Sequence, residues 1–283
     1  MTQQLRVAGV PEHFNLPWKL AIADDAFAET GLDVEFIDYP GGTGAMTKAL
    51  RDRELEAALV LTEGAMLDIL KGSDNRLVSV YVETPLIWGI HVAADGAITD
   101  VEEGQRVAIS RYGSGSHLIA IVDTMARGFD PAALQFVVVD NLEGARTALA
   151  EGRADIFLWE RHMTQPLVDS GEFRRIGERE VPWPAFVVSA RSDFLEKKAD
   201  SLRTVLDIVA TYCEKLRHDN KSAQLISNTY GIAPADAERW LTSVRWTNDF
   251  ERPDAALDRI KTALLSQGAI APSTTIDKVW ISD

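Results

Sequence analysis

Eight consecutive residues, Ser110-Arg111-Tyr112-Gly113-Ser114-Gly115-Ser116-His117, bring hydroxyls, an imidazole, a phenol and a guanidinium into one short segment. It follows the apolar, β-branched run Gln105-Arg106-Val107-Ala108-Ile109 and leads into Leu118-Ile119-Ala120-Ile121-Val122, the pattern of strand, turn and helix. Glycines at 113 and 115 let the backbone turn tightly and approach a ligand closely. The serines suit helix capping, and the first N–H groups of the helix have no intrahelical partner. Such a turn receives a carboxylate, phosphate, sulfonate or ring carbonyl. A well-capped βα turn with no ligand fits the same residues equally well. The reading as a receptor gains weight because the chain builds similar turns several times: at Gly42, Thr43 and Gly44, at Thr62 and Glu63, and after the first strand at His13, Phe14 and Leu16.

Catalytic readings fit these residues less well. Gly113-Ser114-Gly115-Ser116-His117 departs from the G-x-S-x-G nucleophile elbow, which also requires a separate acid and histidine. Gly42-Thr43-Gly44 lacks the lysine–serine ending of a P-loop and the second half of a dinucleotide fingerprint. His13, His91, His117, His162 and His218 form no close pair at metal-ligand spacing. Cys213 falls on the apolar face of a helix with Leu202, Val205, Leu206, Val209 and Leu216, the position of a core residue. No catalytic residue, metal or cofactor is assigned. A carboxylate pair from Glu63 and Glu160 stays open as a hydrolytic alternative, since sequence spacing does not set their separation.

The 283 residues are enough for a two-lobed protein or one large α/β domain, and 46% apolar with 25% charged residues supplies an ordinary core. A net charge of −14 argues against nucleic acid or an anionic membrane surface as partner. One cysteine allows no intramolecular disulfide, and no run reaches the ~18 apolar residues of a membrane span. Met1-Thr2-Gln3-Gln4 leads into a strand without the basic and apolar regions of a signal peptide, so a cytoplasmic location is expected, or a periplasmic one if a leader was trimmed.

Strands are expected at Leu5–Val10, Val34–Tyr39, Ala57–Leu61 and Leu77–Val82, alternating with helices, the first running from Pro17 to Gly31. The pattern repeats with strands at 105–109, 134–139 and 154–159, and Ala49-Leu50-Arg51-Asp52 is echoed by Ala148-Leu149-Ala150-Glu151 about 100 residues on. Alternating strands and helices imply α/β lobes with mostly parallel sheets. Leu86–Ala93 and Ala185–Ala190 are expected as the two crossover strands, with a helical remainder. The lobes are then 1–92 with 185–283, and 93–184, with a ligand cleft between them.

Ligands of open α/β sheets bind outside the carboxyl ends of the strands. Those ends collect His13, Phe14 and Leu16; Gly42, Thr43 and Gly44; Thr62 and Glu63; Ser110 through His117; and Trp159 with Glu160. Phe14, Tyr112 and Trp159 could sandwich a flat ligand, while Glu63 and Glu160 could accept from an amine or aminopyrimidine edge. Each has a plain rival: Phe14 as a helix staple, Trp159 as core, the carboxylates as solvated or paired with Arg111 or Arg161.

Taken together, Val10 to Trp18, Phe27-Ala28-Glu29-Thr30-Gly31-Leu32-Asp33-Val34, Gly41-Gly42-Thr43-Gly44, Gly152-Arg153-Ala154-Asp155-Ile156 and Ser192-Asp193-Phe194-Leu195 resemble the type-2 periplasmic binding-protein superfamily. More narrowly, the chain is similar to the nitrate, sulfonate, taurine and thiamine-pyrimidine binding group, and looks more like its signal-less intracellular branch. That resemblance implies two α/β lobes joined by crossover strands acting as a hinge, and capture of a small polar or heterocyclic molecule, such as a thiamine-pyrimidine precursor, by closure. Two alternatives stay open. One is an enzyme of pyrimidine or thiamine-precursor metabolism; the other is an exported ABC-transporter component that serves a permease. The enzyme branch uses a lysine and a histidine after the third strand and a cysteine-rich segment near the return crossover. Here those places read Thr62-Glu63-Gly64-Ala65-Met66 and Val181-Pro182-Trp183-Pro184-Ala185, which argues against it.

Overall fold

The computed structural model describes residues 3–281; Met1 and Thr2, which bear on the expected start of the chain, lie outside the described residues. The chain forms two compact units, one of residues up to Thr84 with Pro184–Asp254 and the segment from Thr275, the other of Pro85–Trp183 with Ala255–Thr274. Among the described residues no helix is long and apolar enough to cross a membrane, and no group of three or more His, Cys, Asp or Glu is placed to hold a metal ion.

The chain begins with β1 (Gln3–Gly9), whose Leu5, Val7 and Ala8 are wholly buried. Helix α1 (Leu16–Ala23) has Pro17 in its first turn, where the missing N–H does no harm. It ends well before Gly31, because residues 24–27 form turns; Gly31, at φ 69°, instead closes a short 3-10 turn, Ala28–Thr30. Then come β2 (Leu32–Asp38), α2 (Gly42–Arg51), β3 (Ala57–Leu61), α3 (Thr62–Leu70) and β4 (Asn75–Val82). The second unit runs β5 (Ile87–Ala93), β6 (Arg106–Ile109), α4 (Gly115–Ala126), β7 (Gln135–Val138), α5 (Leu142–Ala150), β8 (Ile156–Glu160), α6 (Arg161–Asp169) and β9 (Phe173–Glu180). The chain continues through β10 (Phe186–Arg191), α7 (Ser192–His218), α8 (Ser222–Tyr230), α9 (Pro234–Ser243), β11 (Trp246–Asp249) and α10 (Asp254–Ser266).

Both sheets are mixed. In the first unit the order is β11-β4-β10-β3-β1-β2, with β2, β1 and β3 parallel and β10 antiparallel to both β3 and β4. In the second it is β7-β6-β8-β5-β9, with β7, β6 and β8 parallel and β5 antiparallel to β8 and β9. The expectation of mostly parallel sheets follows from βαβ grammar, which governs only the strands reached through a helical crossover. The strands β5 and β10 follow other strands without an intervening helix and enter their sheets against that direction. β5 pairs along its whole length inside the second sheet, so residues 85–92 group with that unit. Residues 255–274 group there too, tied by Arg259 Nη1 donating to Pro182 O at 3.2 Å and by Gln267. The expected helical remainder is interrupted by β11, which adds an edge to the first sheet beside β4.

The same fork closes the amino end of each sheet. In the first unit Glu56 accepts from Arg6 N (2.9 Å), Nε (3.0 Å) and Nη2 (2.8 Å). In the second Asp155 accepts from Arg106 N (2.7 Å), Nε (3.1 Å) and Nη2 (2.6 Å). The hydrogen bonds hold the Asp155 carboxyl below its ordinary range and raise Arg6 and Arg106.

His91, wholly buried on β5, lies 3.3 Å from Phe157 O through Nδ1 and accepts from Arg175 Nε at 3.4 Å through Nε2. That network assigns the proton to Nδ1. Gly89 makes room for the pair, because a Cβ there would stand 2.5 Å from His91 Cε1 and 2.9 Å from Arg175 Nε. Burial, and next the charge of Arg175, push the His91 pKa down to about 4. The unfolded chain therefore takes up this proton near pH 6.5 while the folded chain resists it, so stability falls as pH drops from about 6.5 toward 4. The loss reaches roughly 3 kcal/mol by the bottom of that window. Urea unfolding midpoints measured from pH 7 to pH 4.5 are expected to fall for the native chain and to fall less for His91→Gln. Parallel curves would show that His91 does not carry the acid sensitivity.

Candidate functional site

In the second unit the segment after β6 is a hydrogen-bonded turn. Ser114 is the N-cap of α4, its Oγ accepting from His117 N at 3.3 Å. Ser116 Oγ accepts from Ser110 N at 2.9 Å and lies 3.1 Å from Ser114 Oγ and 3.3 Å from Ser110 Oγ. The His117 ring folds back so that Nδ1 accepts from Gly113 N at 3.0 Å, and Gln267 Nε2 reaches the same Nδ1 at 3.1 Å. With two donors on Nδ1 the neutral ring carries its proton on Nε2, and burial lowers its pKa. Gly113, at φ 79°, gives the turn the left-handed residue it needs. His117 N and Leu118 N are taken up by Ser114, which leaves Gly115 and Ser116 N–H as the donors of the first turn without an intrahelical partner.

Around this turn stand rings. Phe136 meets His117 edge-on at 4.5 Å, and Tyr112, 65% exposed, meets His117 at 5.3 Å. The Trp88 indole packs against Gly115, where a Cβ would come within 3.2 Å of Cη2. Trp159 is half-buried, stacked on Phe157 at 5.3 Å and edge-on to Trp88 at 6.2 Å. Glu160 caps α6, its Oε2 accepting from Met163 N at 2.8 Å. Arg111 is exposed.

The first unit's turns are more fully engaged. Phe14 O accepts from Tyr81 Oη at 2.7 Å and Trp246 Nε1 at 2.9 Å, and its ring sits among Phe186 and Trp240 at 5.2 and 5.3 Å. His13 stacks on Phe14 at 4.9 Å and meets Trp240 at 4.1 Å. Leu16 is core. Gly42 adopts φ 67° and opens α2, and Thr43 Oγ1 accepts from Leu61 N at 3.0 Å. Gly44 lies in the first turn of α2. Thr62 is wholly buried, its hydroxyl donating to Pro184 O at 2.6 Å, and Glu63 is buried in the first turn of α3.

Two α/β units, each a three-stranded parallel core joined by an antiparallel strand on the chain's path between units, define a known architecture. The structure of the Candida albicans CA3427 gene product, described as having the generic periplasmic binding protein fold, is similar at a TM-score of 0.83. It is 26% identical over 99% of this chain and 98% of that one. This chain has the type-2 periplasmic-binding-protein fold. The Ca3427-like PBP family model matches residues 88–179, which span β5 to β9. Two sulfonate-binding proteins share the fold. SsuA of Escherichia coli has a TM-score of 0.78 and 16% identity over 100% of this chain and 94% of that one. SsuA of Xanthomonas axonopodis pv. citri, bound to MOPS, has a TM-score of 0.74 and 16% identity over 98% and 96%. No curated protein sequence matches the chain.

On this periplasmic-binding-protein scaffold the Ser110–His117 segment forms one hydrogen-bonded turn, with the Tyr112 ring packed edge-on to His117. Leu16 and Thr62 are occupied inside the first unit. Gln267, Trp88 and Phe136 escape a reading by sequence. Gln267 arrives from the end of α10, 150 positions from His117, and no local pattern ties the two. Trp88 alone carried a signal, a large ring beside a glycine in the strand Ile87-Trp88-Gly89-Ile90. Because Ser114 holds the first turn of α4, Ser114→Ala is expected to destabilise the unliganded protein by about 1 kcal/mol. Tyr112→Ala is expected to stay within about 0.5 kcal/mol. Urea unfolding of both variants checks this; equal losses would make Tyr112 part of the fold.

Proposed function

We propose that this chain binds a small polar or heterocyclic molecule and releases it unchanged. The observation that carries the reading is the start of α4, where capping and turn bonds engage the neighbouring groups and leave Gly115 and Ser116 N–H without an intrahelical partner, close to aromatic rings. Donors of that kind hold an oxygen acceptor with fixed dipoles. The same bonds disfavour catalysis. The Ser110, Ser114 and Ser116 hydroxyls bond to one another and to backbone, and His117 Nδ1 accepts from Gly113 rather than activating a serine. Glu160, one half of the carboxylate pair, is engaged as a helix cap.

Similarity to proteins that bind sulfonates supports a small-molecule ligand, and it favours a second reading, delivery to an ABC permease. Capture by closure of the two units belongs to the proposal as well. A thermal-shift panel of pyrimidines, alkanesulfonates, nitrate, amino acids and polyamines tests it. A compound at 100 times its Kd is expected to stabilise by about 2.7 kcal/mol, a rise of a few degrees at this size. Small-angle scattering with that compound is expected to show a smaller radius of gyration, and chromatography to recover it intact. A chemically altered compound would establish an enzyme instead.

A further inference from the structure

Among the described residues of the second unit two side-chain polar atoms are buried without a hydrogen-bond partner, and both belong to residues that touch the start of α4. The first is Trp88 Nε1. Trp88 is 6% exposed, and its ring edge, Cη2 and Cζ2, lies 3.2 and 3.5 Å from where a Cβ on Gly115 would stand. Cζ2 is the ring atom next to the carbon that bears Nε1, so the indole N–H is on the same side of the ring as the edge packed on Gly115. The second is Gln267 Oε1. Its amide is fixed in orientation, because Nε2 donates to His117 Nδ1 at 3.1 Å and lies 3.4 Å from Ser114 O. Turning the amide over would set Oε1 against a carbonyl oxygen and against a ring nitrogen that already accepts from Gly113 N.

We propose that Trp88 and Gln267 make this turn selective for an uncharged ligand edge that carries one acceptor and one donor, as in a lactam, ureide or carboxamide. The inference rests on the binding reading above and names the class of molecule for the same turn. A C=O on such an edge accepts from Trp88 Nε1 and the open N–H groups of Gly115 and Ser116, and its N–H donates to Gln267 Oε1. A sulfonate offers acceptors only. It satisfies the indole but faces the lone pairs of Gln267, and its charge finds no cation at the turn's floor, where His117 is neutral. Arg111 is exposed and meets a ligand through water-screened contact. Leaving a buried donor or acceptor unmatched is what gives hydrogen-bonding pockets their discrimination.

Calorimetric titration of the full chain tests this, with uracil, cytosine and 2-piperidone as donor–acceptor probes and taurine, methanesulfonate and MOPS as acceptor-only probes. At least one donor–acceptor probe is expected to bind more tightly than every sulfonate. Trp88→Phe keeps the ring and removes the N–H, and it is expected to weaken that probe about tenfold while the unliganded melting temperature stays within a few degrees. If that variant does not fold, Gly115→Ala, which displaces the indole edge, gives the same readout. Unchanged affinity in a folded variant overturns the role of Trp88. Tighter sulfonate binding overturns the ligand class and leaves the binding reading standing. Silence from every probe counts against both.

Discussion

Each sheet depends on one interaction: a carboxylate that grips the guanidinium and the backbone N–H of the same arginine. Glu56 stands just before β3 and holds Arg6 of β1; Asp155 stands just before β8 and holds Arg106 of β6. Two prongs and a backbone bond fix relative position as well as distance, so the amino ends of the two parallel strands align. The register follows, with Val7 beside Ala57 and Val107 beside Ile156. Strands β3 and β8 then run five residues each and turn directly into α3 and α6. A clamp at one end of the sheet thereby decides which residues arrive at the other end, where the candidate turns are.

From that shared frame the two units diverge in how they use their turns. The first unit fills them: Thr43 and Thr62 bond to neighbouring backbone, and Phe14 is enclosed by rings and by two donors on its carbonyl. In the second unit the serine cluster and His117 satisfy one another, and the helix start stays open behind them. Gly115 is decisive here. Without a side chain it lets Trp88 approach the first turn, so the opening is bounded by an indole edge rather than by a methyl group.

What was legible in the chain follows from local physics. The buried strands Ala57–Leu61 and Ile156–Leu158 announce themselves by apolar runs, and Gly31, Gly113 and Gly152 mark turns because each sits at positive φ. The second unit's edge strand was not legible, since Phe173-Arg174-Arg175-Ile176-Gly177-Glu178-Arg179-Glu180 has the composition of a solvated surface. Its charges protect an exposed edge, and Arg179 reaches inward to the buried Asp123 at 2.7 Å, a pairing no periodicity reveals. β11 was hidden for another reason. Four residues between helices carry no alternation, and only the neighbouring β4 makes Trp246–Asp249 a strand. In the candidate turn the serine cap and the glycine turn could be read, whereas the Ser110–Ser116 and Gly113–His117 bonds depend on the folded geometry and Gln267 joins through tertiary packing alone.

The second unit holds its open donors inside a chain of strongly negative charge. With a net charge of −14, the long-range field does not gather anions, and beyond about 8 Å it is screened in any case. On the binding reading proposed above, attraction at the turn comes from short-range dipoles, the N–H groups of α4 and the indole of Trp88, with burial lowering the pKa of His117. Dipoles of this kind reward an acceptor oxygen in the right place. They also carry a cost when empty, because a buried N–H or amide oxygen without a partner disfavours the folded unit. On that proposal, stability and recognition pull against each other at Trp88 and Gln267, because the atoms that would meet a ligand are the ones that cost the folded unit.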